Sequence, residues 1–212
     1  MFDQFLEYWS KAHGEKFEPF TDDDYFKYVD GKLRYEGARS FLESRGIVLP
    51  QGDADETPNF QTVCGLGNFK DSLVKDAIRS GGVEKYEGSI KWVEQLRQGG
   101  LRTAVVSSSS NCAEVLQAAG IADLFDVRVD GVVARELHLA GKPAPDTFLK
   151  AAQLLGVPPG RAVVVEDAIS GVEAGRRGNF ALVIGVDRDQ QRDALLAHGA
   201  DIVVNDLAEL LA

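Results

Sequence analysis

Three short stretches place polar, reactive side chains directly behind runs of apolar residues. In "VVSSSSN" (105–111), Ser107, Ser108, Ser109, Ser110 and Asn111 follow two valines. Hydroxyls at a strand end before a helix start make an anion site, because the helix N-terminus offers free N–H groups and partial positive charge. Ser110 or Asn111 acting as a helix cap explains one such residue, not five in a row. In "AGKPAPDTF" (140–148), Lys142 stands between Gly141 and Pro143, ahead of a helix beginning near Pro145. A lysine held by stiff neighbours is a point charge for a phosphate or carboxylate; taken alone it reads instead as an ordinary solvated surface lysine. In "RAVVVEDAISGVEAG" (161–175), Glu166 and Asp167 end an apolar run. Two acids at the carboxyl end of a buried strand suit a hard cation such as Mg²⁺. Capping of the next helix is the plainer role for one of them, although Ser170 is the more natural cap.

Such side chains need rigid elements behind them. From about residue 86 strands alternate with helices: "SIKWVEQLRQGG", "LRTAVVSS", "NCAEVLQAAG", "LFDVRVDG", "APDTFLKAAQLLG", "RAVVVED", "SGVEAGRRG", "FALVIGV", "DQQRDALLAHG", "ADIVV" and "DLAELL". This order predicts parallel βαβ units, and the near-continuous apolar strands fit a sheet covered on both faces. Ligands of such sheets bind beyond the carboxyl ends of the strands, where the serine cluster, the "DG" of "VRVDG" and the acid pair all fall.

Residues 1 to about 85 read as helices. Phe2, Phe5, Leu6 and Trp9 recur at helical spacing. Thr21 is an N-cap before "DDDYFKYV", and Gly46 closes "RYEGARSFLESRG". "IVLPQGDADETPN" is a polar loop, and "FQTVCGLGNFKDSLVKDAIRSGG" is expected to form two short helices around Gly65 and Gly67. The expected organisation is a helical cap domain over 1–85 and an α/β core domain over 86–212, joined by the glycine-rich "RSGGVEKYEG".

The whole composition is that of an ordinary globular chain, with 44% apolar and 26% charged residues among 212. A formal net charge of −10 argues against nucleic acid and anionic membranes as partners, since both recruit basic surface. It leaves room for a small anionic substrate in a locally positive pocket. No stretch approaches the roughly 18–20 apolar residues of a membrane span, and "MFDQFLEYWSKAHG" is not a secretory signal. Cys64 and Cys112 lie far apart and read as reduced thiols of a cytoplasmic protein. His13, His138 and His198 are scattered and read as surface or structural residues. A monomer is slightly favoured.

The ordered set of serine cluster, "GKPAPDTF" and "VVVEDAISGVEAG" resembles the haloacid dehalogenase superfamily, within it the β-phosphoglucomutase-like phosphatases and mutases. The helical first half, with "VDGKLR", is similar to that family's small cap. The resemblance implies a Rossmann-like parallel-sheet α/β core, Mg²⁺, and phosphoryl transfer through an aspartyl-phosphate. It implies that Ser107 hydrogen-bonds the transferring phosphoryl group and that Lys142 neutralises its charge. It implies that Glu166 and Asp167 hold the metal. Gly31, Arg34 and Lys70 of the cap, with Ser109, Ser110 and Asn111, would bind the rest of a small phosphorylated metabolite, most readily a sugar phosphate.

One part of the family pattern is missing. Its first motif is an apolar strand ending in Asp-x-Asp, whose first aspartate is the nucleophile. Asp22 and Asp24 have that spacing, but no apolar strand precedes them, and they fall after the first cap helix. The expectation is a chain lacking roughly 20–25 leading residues, one strand, a turn and part of a helix. Met1 would then be internal, and the missing strand would lie between those carrying Ser107 and Asp167. Three readings follow: a phosphohydrolase or phosphomutase whose nucleophile is not in this chain; β-phosphoglucomutase proper, although no lysine stands among the serines; and a phosphate-binding module without catalysis. A dehalogenase fits less well, because its chemistry leaves the acid pair without a metal to hold.

Overall fold

A computed structural model describes residues 1–81 and 83–211. The chain forms two compact units, Met1–Gly82 and Val83–Ala212.

The first unit is helical. Helix α1 (Phe2–His13) buries Phe2, Phe5 and Leu6, and Gly14 closes it with φ +73°. The helical spacing of those residues puts them on one face, as expected. Thr21 and Asp24 form a capping box, and the single turn α2 (Asp22–Asp24) widens into a π turn over Tyr25–Val29. Helix α3 (Arg34–Ser44) buries Ala38, Phe41 and Leu42. Helix α4 (Val63–Arg79) is capped by Thr62, whose hydroxyl accepts the Gly65 N–H at 2.9 Å. Phe2, Phe5, Phe41, Leu42, Val63 and Leu66 share one core, and each large side chain buried there contributes about 1.5–3 kcal/mol.

Helix α4 corrects one expectation: Gly65 and Gly67 do not divide two short helices but sit inside a single one. Both are close approaches. A Cβ on Gly65 would overlap the Asn59 side chain, and one on Gly67 would lie 2.7 Å from the Tyr35 ring. Glycine stands there for space against Asn59 of the preceding loop and Tyr35 of α3, a cause that helix propensity does not carry.

The second unit alternates helix and strand: α5 (Glu87–Gln98), β1 (Ala104–Val106), α6 (Cys112–Ala119), β2 (Val127–Val129), α7 (Gly131–Glu136), α8 (Asp146–Leu155), β3 (Val163–Glu166), α9 (Ile169–Arg177), β4 (Leu182–Val186), α10 (Arg192–Ala197) and β5 (Ile202–Val204). "DLAELL" ends as a 3₁₀ turn, Leu207–Leu210, held by an Asp206–Glu209 capping box. Helix α7 was not expected. Asp130, almost fully buried, makes it by accepting the N–H groups of Val132 and Val133 while pairing with Arg128 at 2.8 Å.

Every strand pairing is parallel, as the βαβ grammar requires, yet the strands form two sheets. One holds β1 and β2; the other holds β3, β4 and β5, with β4 in the middle. Helix α8 packs on β1 and β2, α9 packs on β3 and β4, and α8 touches α9. Val106 of β1 packs against the cluster that contains Phe148 of α8 and Val164 of β3. No helix among the described residues is long and apolar enough to cross a membrane.

Candidate active site

The acid pair ends β3. Its apolar run Val163–Val165 alternates in burial, and the pattern carries Glu166 inward while Asp167 stands exposed. Glu166 Oε1 is ion-paired with Lys142 Nζ, and both side chains are buried. Its other oxygen accepts the N–H groups of Asp167 and Ala168, each at 3.2 Å. The N–H groups of the two residues immediately ahead of α9 are thereby satisfied. Ser170 is not the cap: Ala168 holds that position and Ser170 lies within α9. The turn is tight, since a Cβ on Gly171 would overlap the Glu166 carboxylate.

Lys142 is held from several sides. The Ala140 N–H donates to Asp146 Oδ2 at 3.2 Å, and the Ala144 N–H to the Gly141 carbonyl at 2.9 Å. Arg177 donates to the Pro143 carbonyl at 3.3 Å, and the Lys142–Pro143 peptide is cis. The ammonium lies 4.9 Å from the Phe148 ring centroid. The plain alternative of a solvated surface lysine is excluded, because Lys142 is only 6% exposed.

The serine loop follows β1. Ser107 N–H donates to the Val129 carbonyl at 3.0 Å, which extends the β1–β2 ladder to the first serine. Ser107 Oγ accepts the Ser109 N–H and Ser109 Oγ accepts the Asn111 N–H, both at 3.1 Å. These local bonds curl the loop into successive turns. Asn111 holds the cap position of α6 without a side-chain cap bond to it. The loop rests against β2's end: a Cβ on Gly131 would lie 2.7 Å from the Ser108 carbonyl and 2.9 Å from Ser110 Oγ.

Cys112 lies beneath this loop. Burial pushes its thiol up to about 11, helped by the Asp130 charge and opposed by Arg128 and a bond to Ser107. At pH 8 a thiol reagent is therefore expected to label Cys112 in the folded chain about 100-fold more slowly than in urea. Stopped-flow labelling with a chromogenic disulfide, with Cys64→Ser as background, measures it. Equal rates would show the site to be open.

The first unit gathers its own candidates. Gly31 turns the chain at φ +69° ahead of α3. Arg34, the first residue of α3, bonds Asp71 at 2.5 Å and Asn68 at 3.3 Å. Lys75 also reaches Asp71, at 3.0 Å, and the Tyr35 hydroxyl donates to Asn68 at 2.9 Å. Lys70 on α4 has a lowered pKa: burial pulls it down, the nearby Asp30 carboxylate opposes, and Arg34 adds to the lowering. Asp71 and Asn68 were not legible as partners of Arg34. Their one sequence trace is the Asp71–Lys75 spacing of four on a helix.

Ser107, Lys142, Glu166 and Asp167 thus occupy the carboxyl ends of β1 and β3 or the loop packed beside them, all in one unit. A family model described as a haloacid dehalogenase-like hydrolase matches residues 4–179. The chain belongs to this family. Its second unit is the family's α/β fold with parallel strands.

Among curated relatives, the chain is 51% identical over 215 residues to a β-phosphoglucomutase of Mycobacterium bovis, covering 100% of this chain and 82% of that protein. It is 38% identical over 129 residues to a trehalose-phosphate phosphatase of Mycobacterium leprae, covering 59% of this chain and 28% of that protein. Among solved structures, a β-phosphoglucomutase of Clostridium difficile superposes with a TM-score of 0.73 at 21% identity, over 99% of this chain and 86% of that one. That likeness bears on the fold.

Proposed function

We propose that this haloacid dehalogenase-like chain supplies the cap and most of the phosphoryl-transfer site of a Mg²⁺-dependent phosphomutase acting on a hexose phosphate. The observation that carries the reading is the buried Lys142–Glu166 pair beside exposed Asp167 at the end of β3. The M. bovis relative, at 51% identity over the full chain, supports the mutase form.

The donor set suits Mg²⁺ in a limited way. Glu166 has one oxygen on Lys142 and the other on two backbone N–H groups, so Asp167 is the carboxylate left to hold the ion. Among the described residues no group of three or more candidate ligands converges. One carboxylate, substrate oxygens and water are an ordinary set for Mg²⁺, which dehydrates reluctantly. When bound, the ion supplies charge neutralisation at the phosphoryl oxygens.

The chain's own groups do the positioning. Ser107 Oγ and the N–H groups of its loop hydrogen-bond a phosphoryl group. Lys142, fixed by Glu166, holds positive charge where negative charge accumulates on the transferring phosphoryl group. Ser109, Ser110 and Asn111 bind the distal part of the substrate. In the cap, Gly31 lets the chain turn toward α3, and Lys70 is the cation for a second anionic group, since Arg34 is already engaged with Asp71. The attacking carboxylate comes from polypeptide outside residues 1–212.

The test is an assay of β-glucose 1-phosphate with Mg²⁺, following glucose 6-phosphate and free phosphate separately. A chain extended upstream by a strand ending in Asp-x-Asp is expected to form glucose 6-phosphate. In it, Asp167→Asn and Ser107→Ala are each expected to lower kcat/KM by about 10²–10³-fold. Residues 1–212 alone are expected to bind the sugar phosphate without turnover. Phosphate release without glucose 6-phosphate would replace the mutase by a phosphatase, the activity named for the M. leprae relative. Equal turnover by both chains would overturn the external nucleophile.

A further inference from the structure

We propose that Asp130 and Gly131, at the carboxyl end of β2, are positioning residues that seat the serine loop (107–111) for a phosphoryl group. The seat stands on geometry; what the loop binds rests on the phosphoryl-transfer reading above.

The end of β2 fixes the loop at two points. The Ser107 N–H donates to the Val129 carbonyl at 3.0 Å, and the Gly131 N–H donates to the Ser109 carbonyl at 3.1 Å. Val106 and Val129 are the last paired residues of β1 and β2. Were the ladder to continue regularly, Ser107 would both donate to Val129 and accept from Gly131. The acceptor is Ser109 instead, so the loop bulges between two bonds whose positions β2 sets.

Gly131 fits the bulge closely. A Cβ there would lie 2.7 Å from the Ser108 carbonyl oxygen, 2.9 Å from Ser110 Oγ and 3.0 Å from the Ser109 carbonyl carbon. The backbone does not demand glycine, because this residue opens α7 and its φ is outside the left-handed region. Space is the reason that remains, and three consecutive loop residues take it up. Two of the three nearest atoms are main chain. An added methyl group is therefore relieved by moving the loop backbone or the turn beneath it.

The turn is the stiffer of the two. Asp130 is 1% exposed, and its Oδ1 accepts the N–H groups of Val132 and Val133 at 3.0 and 3.1 Å. Its Oδ2 pairs with Arg128 at 2.8 Å, and its carbonyl accepts the Ala134 N–H at 2.8 Å. Every oxygen of Asp130 is engaged, which locks Gly131 between β2 and α7. The loop is curled by hydroxyl turns, with the Ser109 N–H on Ser107 Oγ and the Asn111 N–H on Ser109 Oγ. It is the part that yields, and Ser107 Oγ moves with it. The "DG" of "VRVDG" thus serves the site by touching the loop rather than the ligand.

The test compares Gly131→Ala with Gly175→Ala in residues 1–212. Gly175 is also crowded, a Cβ there lying 3.1 Å from Val164 and Val183, but by core side chains of β3 and β4. Amide hydrogen exchange at positions 107 and 131 is read relative to the amides of β4, so that a general loss of stability cancels. It is expected to speed at least about tenfold in Gly131→Ala and not to rise in Gly175→Ala. Affinity for inorganic phosphate with Mg²⁺, followed by phosphorus NMR titration, is expected to fall at least about tenfold in Gly131→Ala alone of the two. Asp130→Asn keeps an acceptor for the Val132 and Val133 N–H groups and is expected to stay within about threefold of the native affinity. Asp130→Ala, which removes it, is expected to fall with Gly131→Ala. Unchanged exchange in Gly131→Ala would overturn the seat. Faster exchange with phosphate affinity retained would overturn the positioning role. Absence of phosphate binding by the native chain, with the exchange result as expected, would leave the seat standing and overturn the phosphoryl-transfer reading.

Discussion

Lys142→Met is expected to lower the free energy of unfolding by about 3–5 kcal/mol, read from urea titrations. The reason lies in what is left behind. Lys142 and Glu166 are both buried and neutralise one another. Methionine keeps the packing against Phe148 but leaves the Glu166 carboxylate without its counter-ion. The double variant Lys142→Met/Glu166→Gln is expected to recover most of the loss, because glutamine still accepts the N–H groups of Asp167 and Ala168. If the double variant is as unstable as the single one, the two groups are not coupled and Lys142 is not held by Glu166. A domain is stable by only about 5–15 kcal/mol, so the single change consumes a large share.

The second large effect concerns the first unit. Asp24→Asn is expected to cost about 3 kcal/mol at pH 7. Asp24 caps its own turn with Thr21 and pairs with Arg45 at 2.7 Å, both side chains being mostly buried. Burial alone would raise its pKa; the bonds from Arg45 and Thr21 outweigh that and hold it below the ordinary carboxylate value. A carboxyl with a lowered folded pKa stabilises above its unfolded value near 3.9, and that stability is lost as pH falls through the folded value. The gap between the native chain and Asp24→Asn is therefore expected to be constant from pH 7 to about 5 and to close below about pH 4. Thermal unfolding across that range measures it. A gap that does not narrow at all between pH 5 and pH 2 would assign the cost to shape rather than charge.

Much of the site was readable before any coordinates. The serine cluster, Lys142 and the acid pair each follow an apolar run, and strand periodicity and chain order are local properties that survive folding. The roles within the set were less readable. Nothing local distinguishes Glu166 from Asp167; the strand's alternation buries one and exposes the other, and only the return of the Lys142 loop gives the buried one a partner. Gly65 and Gly67 were misread as breaks for the same reason, since the groups they accommodate, Asn59 and Tyr35, come from elsewhere in the chain. Ser170 has the chemistry of a cap, but α9 already begins at Ile169 with Ala168 in the cap position, which leaves Ser170 inside the helix.

By itself, the sequence determined the family, the parallel α/β grammar, the helical first unit and the residues that gather at strand ends. These depend on residue type and spacing, which chain order preserves. Only the tertiary structure decided which carboxylate is held by Lys142 and which glycines are spacers. Those depend on contacts between residues far apart in the chain, where burial, counter-charge and backbone pairing are settled together.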